Sequence, residues 1–600
     1  MKKIINEDLI KIIISIILLV IGIFLENNIL LVISYIFVSI EIYLNAFKNI
    51  KIGNIFDENT LMIVATLGAF YIGEFKEAVF VMLLFSIGEY LSDLAVASSK
   101  KAITDLMDLR VDTINLKNIG KTDVKNAKAG DVFIVLSGEK IPLDGIVLKG
   151  ESHLDTSSLT GEAKPSSVSI GSPILSGSIN LEGTLEVKAT STYKTSTASK
   201  IIEILENSEE KRANTEKFIT KFSRIYTPCV VALALLALII PTIMGLDFNT
   251  WLYRALEMLV ISCPCALVIS IPLGYFSGIG KCSKEGILVK GASVLDDLIK
   301  VDTIIFDKTG TITKGVFEVN KIYSVNNKNN ELLKLAATLE NNSNHPIAVS
   351  IKNAYSKKIN TKASNIKEIS GFGIVGNINN DLVALGSKKL LMNMGIKLKE
   401  CSDIGTVIYV AKNNEYLGYI VISDKIKDNA KKSLSYLKSL GVKKLVMLSG
   451  DEESVVKNVA EKAGIDDYYG NLLPQDKVSI LKEYKKNQRV AFVGDGINDA
   501  PVIKMADVGI AMGAIGSDAA IEASDIVLMK DDLSKIGDAI KISKYTRKII
   551  KNNIYFAIGF KVMMLLLALF GKTPMWLAVF ADVGVTILSI INSLRMFKSR

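Results

Sequence analysis

Three short carboxylate motifs each follow a run of residues that reads as a β-strand. They are Asp307-Lys308-Thr309-Gly310-Thr311, Ser449-Gly450-Asp451 and Gly494-Asp495-Gly496-Ile497-Asn498-Asp499, after the runs 303–306, 444–448 and 490–493. In a doubly wound sheet such strand ends line one crevice, and ligands bind there. A nucleophilic carboxylate, a hydroxyl, a lysine and a pair of Mg(II)-binding carboxylates are what phosphoryl transfer through an acyl phosphate requires. A second chemistry is written into an apolar stretch by Cys263-Pro264-Cys265. Proline removes a backbone donor and clashes with the preceding turn, so a helix opens there. Broken helices persist in membranes where they line a site. Two thiols flanking the break can face one ion, and thiolates select Zn, Cd, Pb and Cu(I) over Ca and Mg.

Two ionisable residues in the last apolar stretches, Lys561 and Asp582, extend that site. Each costs about 2.5–3.5 kcal/mol at mid-bilayer on insertion scales, so together they imply a pair or a function. Asp582 adds a hard oxygen and a negative charge beside two thiolates, which suits a divalent ion.

The elements that must position these groups fall into membrane and water-facing parts. Hydrophobic residues make up 49% of 600 and the charged fraction is still 22%, with mean hydropathy +0.34. That combination predicts a membrane protein with sizeable soluble domains. The net charge of +9 comes from lysines spread along the chain and recurring beside apolar segments, not gathered on one face as nucleic-acid binding needs. The five cysteines form no secreted-type framework, which argues against a disulfide scaffold. The apolar N-terminus has no small-residue cleavage site and is read as a retained helix.

Apolar stretches run at 9–25, 29–47, 59–73, 77–97, 228–246, 252–275, 552–570 and 575–594. The stretch 59–97 is far too long for a single crossing, so it is split between Gly73 and Glu74, giving eight helices. Both termini then lie on one side, the side that carries most of the flanking Lys and Arg, and the positive-inside rule makes it the cytoplasm. Residues 98–223, rich in Val, Ile, Thr, Ser and Gly, read as a β-rich domain. Residues 281–549 alternate strand-like and helical runs, the pattern of a parallel α/β sheet, interrupted by 318–425.

Asp307-Lys308-Thr309-Gly310-Thr311, Thr160-Gly161-Glu162, the Gly494–Asp499 motif and the membrane Cys-Pro-Cys together resemble the P-type ATPases, in the heavy-metal-transporting subgroup, and Asn553, Lys561 and Asp582-x-Gly584 resemble its Zn/Cd/Pb-exporting branch. The likeness implies eight transmembrane helices, a β-rich actuator domain and a haloacid-dehalogenase-like phosphorylation domain with an inserted α+β nucleotide-binding domain. It divides the chain into transmembrane helices 1–4 at 1–97, the actuator at 98–223 and helices 5–6 at 224–280. The phosphorylation domain follows at 281–317 and 426–549 around a nucleotide-binding domain at 318–425, and helices 7–8 occupy 550–600.

The same likeness implies the roles. Asp307 is phosphorylated by ATP; Asp307, Thr309, Asp495 and Asp499 form the Mg(II) site; Lys477 neutralises the phosphoryl group and Ser449 hydrogen-bonds it, where relatives more often have Thr. Related phosphatases place an acid/base Asp where Thr309 stands. Thr309 cannot do that work, so the phospho-enzyme should persist until Glu162 positions the attacking water. Glu340, His345, Gly371, Gly373 and Asp424 are implied at the nucleotide, the glycines allowing close backbone approach. Cys263, Cys265, Asp582 and Lys561 would form the transport site, with Lys561 as a built-in counter-ion, and Glu77 and Glu89 the release path. Asn553 completes the branch pattern with Lys561 and Asp582. His153, Cys229 and Cys282 are read as structural, and Cys401 as incidental.

Two departures stand out. Only a few residues precede the first helix and no Cys-x-x-Cys occurs, so regulation by an N-terminal metal-binding domain is expected to be absent. Lys427 stands where relatives often have Arg and lacks its bidentate fork. The expected activity is ATP-driven export of Zn(II), Cd(II) or Pb(II) across the cell membrane by a protein working as a monomer, with ATP, Mg(II) and the lipid bilayer as partners and no nucleic acid. The competing readings are the same pump carrying Co(II) or Cu(I), and a membrane-bound phosphatase or metal sensor that moves nothing. Lys561 and Asp582 speak against copper; Thr309 speaks against a fast phosphatase.

Overall fold

The protein is described here by a computed structural model, which describes residues 2–53, 58–106, 111–160, 165–200, 202, 214–261, 265–326, 328–343, 345–359, 361–369, 372–399, 405–495, 499–513, 518–571 and 573–597. It divides into two compact units, Met1–Ile299 with Ala539–Arg600, and Lys300–Asp538.

The first unit contains the long apolar helices α1 (Lys2–Phe24), α2 (Asn28–Lys51), α3 (Glu58–Ile72), α4 (Phe75–Leu106), α5 (Asn214–Ile243), α6 (Phe248–Ile261), α7 (Cys265–Lys284), α8 (Ser534–Leu569, which begins in the second unit) and α9 (Met575–Leu594). Their patterning is that of helices facing lipid. On α2 the buried stripe is Leu31, Ser34, Tyr35, Val38, Ser39, Ile42 and Ala46, at helical spacing, while Ile29, Ile36, Ile40, Leu44 and Phe47 are exposed. An apolar outer face of that extent has no place in water. The inner faces share one core, which includes Met82, Leu256 and Val579.

By length and apolar composition, five segments among the described residues suffice to cross a bilayer: α2, the apolar part of α5 (Ile225–Ile243), α6 with α7 counted together, α8 and α9; α3 is a shorter apolar helix. The split expected between Gly73 and Glu74 is present, since α3 ends at Ile72 and α4 begins at Phe75. Several helices outrun their apolar stretches. Helix α4 continues to Leu106, α5 starts at Asn214 and α8 at Ser534. Polar side chains end the lipid-compatible part, but no proline or glycine breaks the helix there. The apolar stretch expected at 252–275, with a helix opening at Pro264, falls on α6 and α7; residues 262–264 between them lie outside the described ones.

The β-rich part of this unit has a six-stranded sheet in the order Gly120–Asp123, Thr113–Leu116, Val132–Val135, Leu185–Ala189, Gly145–Lys149, Pro173–Ile174, and a three-stranded sheet of Ser166–Val168, Ser152–Asp155 and Ile179–Asn180. Asp144 ties the sheet edge to the chain leaving it: its carboxylate accepts from the Ser176 amide and hydroxyl and from the Thr197 amide, each at 2.8 Å. His153 is exposed and its Nδ1 lies 3.2 Å from the Glu182 carboxylate.

The second unit is built on a parallel sheet of β1 (Thr303–Asp307), β2 (Lys444–Leu448), β3 (Asp467–Tyr469), β4 (Val490–Gly494), β5 (Val508–Met512) and β6 (Ile526–Leu528), in the order β6-β5-β4-β1-β2-β3. Every residue of β1, β4 and β5 is buried, as a parallel sheet covered on both faces requires. Strand order reverses beside β1, between β1 and β4, and a doubly wound sheet offers its ligand crevice there. Between β1 and β2 the chain makes a second sheet, antiparallel, in the order Thr313–Ser324, Glu415–Ile426, Thr406–Lys412, Asp381–Gly386, Gly373–Ile378, Ala363–Ile369. Burial alternates along Gly373–Ile378; the buried side chains Ile374 and Ile378 pack in one core with residues of the helix Asn329–Leu339.

Gly373 has a structural duty of its own. It pairs with Gly386 across the ladder, has φ +144°, and a Cβ there would lie 2.2 Å from the Leu385 carbonyl oxygen and 2.5 Å from Gly386 Cα. The close approach that demands glycine is thus strand against strand. Gly373→Ala is expected to cost roughly 2–3 kcal/mol through backbone strain and displacement. It should be read as a lower melting temperature of the full chain in the absence of nucleotide.

Candidate functional site

The reversal point gathers the predicted phosphoryl-transfer groups. Asp307 is the last residue of β1 and is buried. Lys477 comes from the first turn of the helix Pro474–Lys485, whose start is fixed by Asp476 accepting from the Leu473 amide at 2.9 Å. Its ammonium donates to Asp307 at 2.6 Å and to Asp499 at 2.8 Å. Asp499 stands against Gly494, where a Cβ would fall 3.1 Å from its carboxylate; Gly494 therefore lets the two motif ends close. Asp495, half-buried just after β4, adds a third negative charge that acts on Asp307.

The electrostatics follow from that crowding. Burial, and then the Asp499 charge, push the Asp307 carboxyl up to about 6 against the opposing pull of Lys477. Burial alone would lower Lys477, but the charges of Asp307 and Asp499 outweigh it and hold the ammonium above its ordinary range. Asp307 thus sits beside a fixed cation in a site with excess negative charge, which a divalent cation would relieve. Asp307, Asp495 and Asp499 offer only hard oxygens, the donor set that suits Mg(II).

The rest of the loop is braced from the other side. Lys308, buried, pairs with Asp451 and lies 3.9 Å from Asp424. Thr313 donates to the Lys308 carbonyl at 2.9 Å and to Asp424. Asp424 pairs across from Phe317 where the antiparallel ribbon enters the inserted sheet; burial raises its carboxyl above the usual range. The structure therefore places Asp424 at the root of the phosphorylation loop. Lys427 donates to the Gly310 carbonyl at 2.8 Å and to Asp531, and burial lowers its ammonium. A lysine suffices here because its target is one carbonyl and one carboxylate oxygen rather than a fork. Ser449 is buried and accepts from the Asp451 amide at 3.1 Å, so its proton is free to donate. Thr309 is exposed.

In the inserted sheet, Glu340 ends the helix Asn329–Leu339 and His345 begins Pro346–Ala354, its ring Nδ1 accepting from the Ile347 amide at 3.3 Å. Burial raises the Glu340 carboxyl, against a hydrogen bond from Ser343 and the His345 charge. Gly371 lies outside the described residues, as do Glu162, Cys263 and Cys401. Cys265 opens α7, with only its backbone described.

The membrane helices bring the predicted cation and anion together. Lys561 of α8 donates to Asp582 of α9 at 2.5 Å and to the Ile261 carbonyl at 3.3 Å. Ile261 is the last residue of α6, immediately before Ser262-Cys263-Pro264-Cys265. Asn553 instead clamps α8 to α9, donating to the Ser589 carbonyl at 3.1 Å and Ser593 at 2.9 Å and accepting from Asn592 at 2.7 Å. Glu77 accepts from the Tyr253 hydroxyl at 2.5 Å; Glu89 is half-buried next to Gly88, which abuts Val583 of α9. Cys229 is exposed and Cys282 buried. Among the described residues, no three His, Cys, Asp or Glu side chains converge as a metal centre.

Residues 105–206 match the P-type ATPase actuator domain, and residues 301–507 match the haloacid dehalogenase-like hydrolases. A zinc-transporting ATPase of Synechocystis sp. is 46% identical over 92% of this chain and 78% of its own length. The chain is a P-type ATPase of the heavy-metal-transporting subgroup. A cadmium, zinc and cobalt-transporting ATPase of Bacillus subtilis is 45% identical to this P-type ATPase over 94% of the chain and 82% of its own length. The crystal structure of a zinc-transporting PIB-type ATPase in its E2.Pi state superposes with a TM-score of 0.65 at 33% identity, covering 98% of this chain and 99% of that one.

Sequence reasoning missed three features of this ATPase. One is Asp531, the partner of Lys427. Another is the Lys308–Asp451 brace, which no spacing rule reveals because the two residues meet only through the pairing of β1 with β2. The third is Glu257 on α6, whose signal was plain: an ionisable residue inside an apolar stretch.

Proposed function

We propose that this ATPase exports a soft divalent metal ion, Zn(II), Cd(II) or Pb(II), from the cytoplasm through an aspartyl-phosphate on Asp307. The observation that carries the choice of ion is the Lys561–Asp582 pair held at the carbonyl of Ile261, two residues before the Cys-Pro-Cys segment in sequence. A carboxylate beside two thiolates favours a divalent soft ion over Cu(I). The names of the relatives, zinc- and cadmium-transporting, support the same reading.

In this reading Asp307 attacks the γ-phosphorus in line, Lys477 and the Ser449 hydroxyl take up charge on the phosphoryl oxygens, and Glu162 positions water to release phosphate. Mg(II), held by Asp307, Asp495 and Asp499 with Thr309 adjoining, would neutralise phosphoryl charge. Glu340, His345, Gly371 and Gly373 hold the nucleotide, while Asp424 shapes the loop beneath it. Cys263, Cys265 and Asp582 take the ion, Lys561 replaces its charge afterwards, and Glu77 and Glu89 mark the way out. Eight crossings with both termini in the cytoplasm of a cell-membrane protein fit the lysine distribution; the protein works as a monomer in this reading. Cobalt is a second substrate reading, favoured by the name of the Bacillus subtilis relative.

The test is ATP hydrolysis in liposomes across Zn, Cd, Pb, Co and Cu(I). Stimulation by the first three is expected, and Cys263→Ser with Cys265→Ser should cut it at least about 100-fold. Equal hydrolysis with and without soft cations would sink the reading.

A further inference from the structure

Glu257 has no part in the scheme above, yet among the described residues it is the most deeply enclosed acid of the first unit, with 0% exposure. One carboxylate oxygen accepts from the Thr573 hydroxyl, in the connection between α8 and α9. The other, Oε2, is buried with no hydrogen-bond partner among the described residues. Arg254, one turn earlier on the same helix, acts on Glu257 through its charge but makes its contacts elsewhere, donating to the Leu569 carbonyl at 3.4 Å and stacking 4.5 Å above the Trp251 ring. Tyr253, on the same face as Glu257, donates to Glu77 of α4 at 2.5 Å and accepts from the Met575 amide at 2.9 Å. Glu77, Tyr253 and Glu257 act on one another electrostatically. Helices α4 and α6 and the start of α9 therefore converge on two carboxyls in an otherwise apolar core.

An acid buried with an oxygen left unsatisfied is costly in a membrane, and such residues mark ion or proton pathways. Its place along the helices narrows the choice. Glu257 is four residues before Ile261, about 6 Å along the α6 axis at 1.5 Å per residue. Met575, which bonds to Tyr253, is seven residues before Asp582, about 10 Å along α9 on the same arithmetic. The acidic pair thus lies one to two turns beyond the Lys561–Asp582 pair, toward the α8–α9 connection, which is the outward end in the orientation proposed above.

We propose that Glu257, with Glu77, is a carboxylate acceptor station that receives the divalent ion from the thiolate pocket before it leaves the protein. The inference rests on the export reading and assigns it a new residue. The step is ligand exchange: thiolate bonds to the ion break as bonds to carboxylate oxygen form, with no redox change. Oxygen ligands hold a soft ion less tightly than thiolates do. An ion passed to them descends in affinity toward the exit instead of leaving the thiolates directly for water. Glu257 Oε2 needs no bond broken to receive it.

The test compares the wild type with Glu257→Gln and Glu257→Asp in the full-length protein in liposomes, using Zn(II) and Cd(II). Glu257→Gln should still form phospho-enzyme from ATP but turn over about tenfold more slowly, with the phospho-enzyme accumulating because the ion is slow to leave. Glu257→Asp should restore much of the rate. Phosphorylation by inorganic phosphate reports folding without requiring the transported ion. If Glu257→Gln fails that check, a second measurement decides: the Cys263→Ser/Cys265→Ser protein should bind Cd(II) weakly with the 113Cd shift of oxygen ligands, and lose that resonance when Glu77→Gln is added. Wild-type turnover by a folded Glu257→Gln, or an oxygen-type resonance that is absent or indifferent to Glu77, overturns the station. Absence of metal-dependent phospho-enzyme in the wild type would instead overturn the export reading beneath it.

Discussion

Asp307→Asn is expected to abolish the acid-stable phospho-enzyme and lower ATP hydrolysis at least about 10⁴-fold, the scale of nucleophile removal, while making the protein more resistant to heat. The two effects have one cause. The Asp307 carboxyl is buried at the end of β1 among other carboxylates, and burial and the Asp499 charge lift it to about 6 in spite of Lys477. A folded-state value above the unfolded one means that the charged form opposes folding. That penalty is absent below the ordinary aspartate range near pH 4, grows as pH rises toward 6, and is fully present at neutrality. Asn carries no charge, so it removes the penalty where the wild type bears it. The gain is bounded at about 3 kcal/mol for a shift of this size. It is read as a rise of a few degrees in the melting transition at pH 7.5 that shrinks to nothing near pH 4. A variant that is inactive and equally or less stable at pH 7.5 would show that Lys477 outweighs the crowding.

The phosphorylation loop was legible because each motif follows a run of β-branched and apolar residues, and a parallel sheet puts all such strand ends on one edge. Asp307 and Asp499, at strand ends, meet in the structure through Lys477, which the family resemblance had put with them. What spacing does not carry is the direction in which a side chain turns after the loop. Lys308, next to Asp307, turns away from it to Asp451, and Asp424 turns to the loop root rather than outward. Gly373 shows the same limit: a glycine-rich run does not reveal that a Cβ there would meet the Leu385 carbonyl on the adjacent strand. The membrane helices were legible as apolar runs but not in their lengths, because α4, α5 and α8 continue as helices after their side chains cease to be apolar.

The Lys561–Asp582 pair carries the second large expectation. Its side chains are 7% and 17% exposed, so each charge depends on the other for its solvation. Removing one partner of such a pair costs about 3–5 kcal/mol, chiefly from the charge left behind. Lys561→Ala and Asp582→Asn should each lower the melting temperature, and the double variant should lose about 1–3 kcal/mol less than the sum of the two. Activity separates them. In the export reading Asp582→Asn removes an oxygen ligand and should lower metal-stimulated hydrolysis about 10–100-fold. On the same reading Lys561→Ala leaves the proposed ligands in place but leaves Asp582 uncompensated once the ion has gone, so another cation would have to enter from outside. Its signature is altered charge movement per cycle, and a return step that becomes sensitive to external pH. Lys561 also donates to the Ile261 carbonyl, so its ammonium spans the Asp582 carboxylate and the last residue of α6. Should Lys561→Ala leave vanadate-sensitive turnover and charge movement untouched, the ammonium would be a structural pin between α6, α8 and α9, and the charge compensation would have to come from elsewhere.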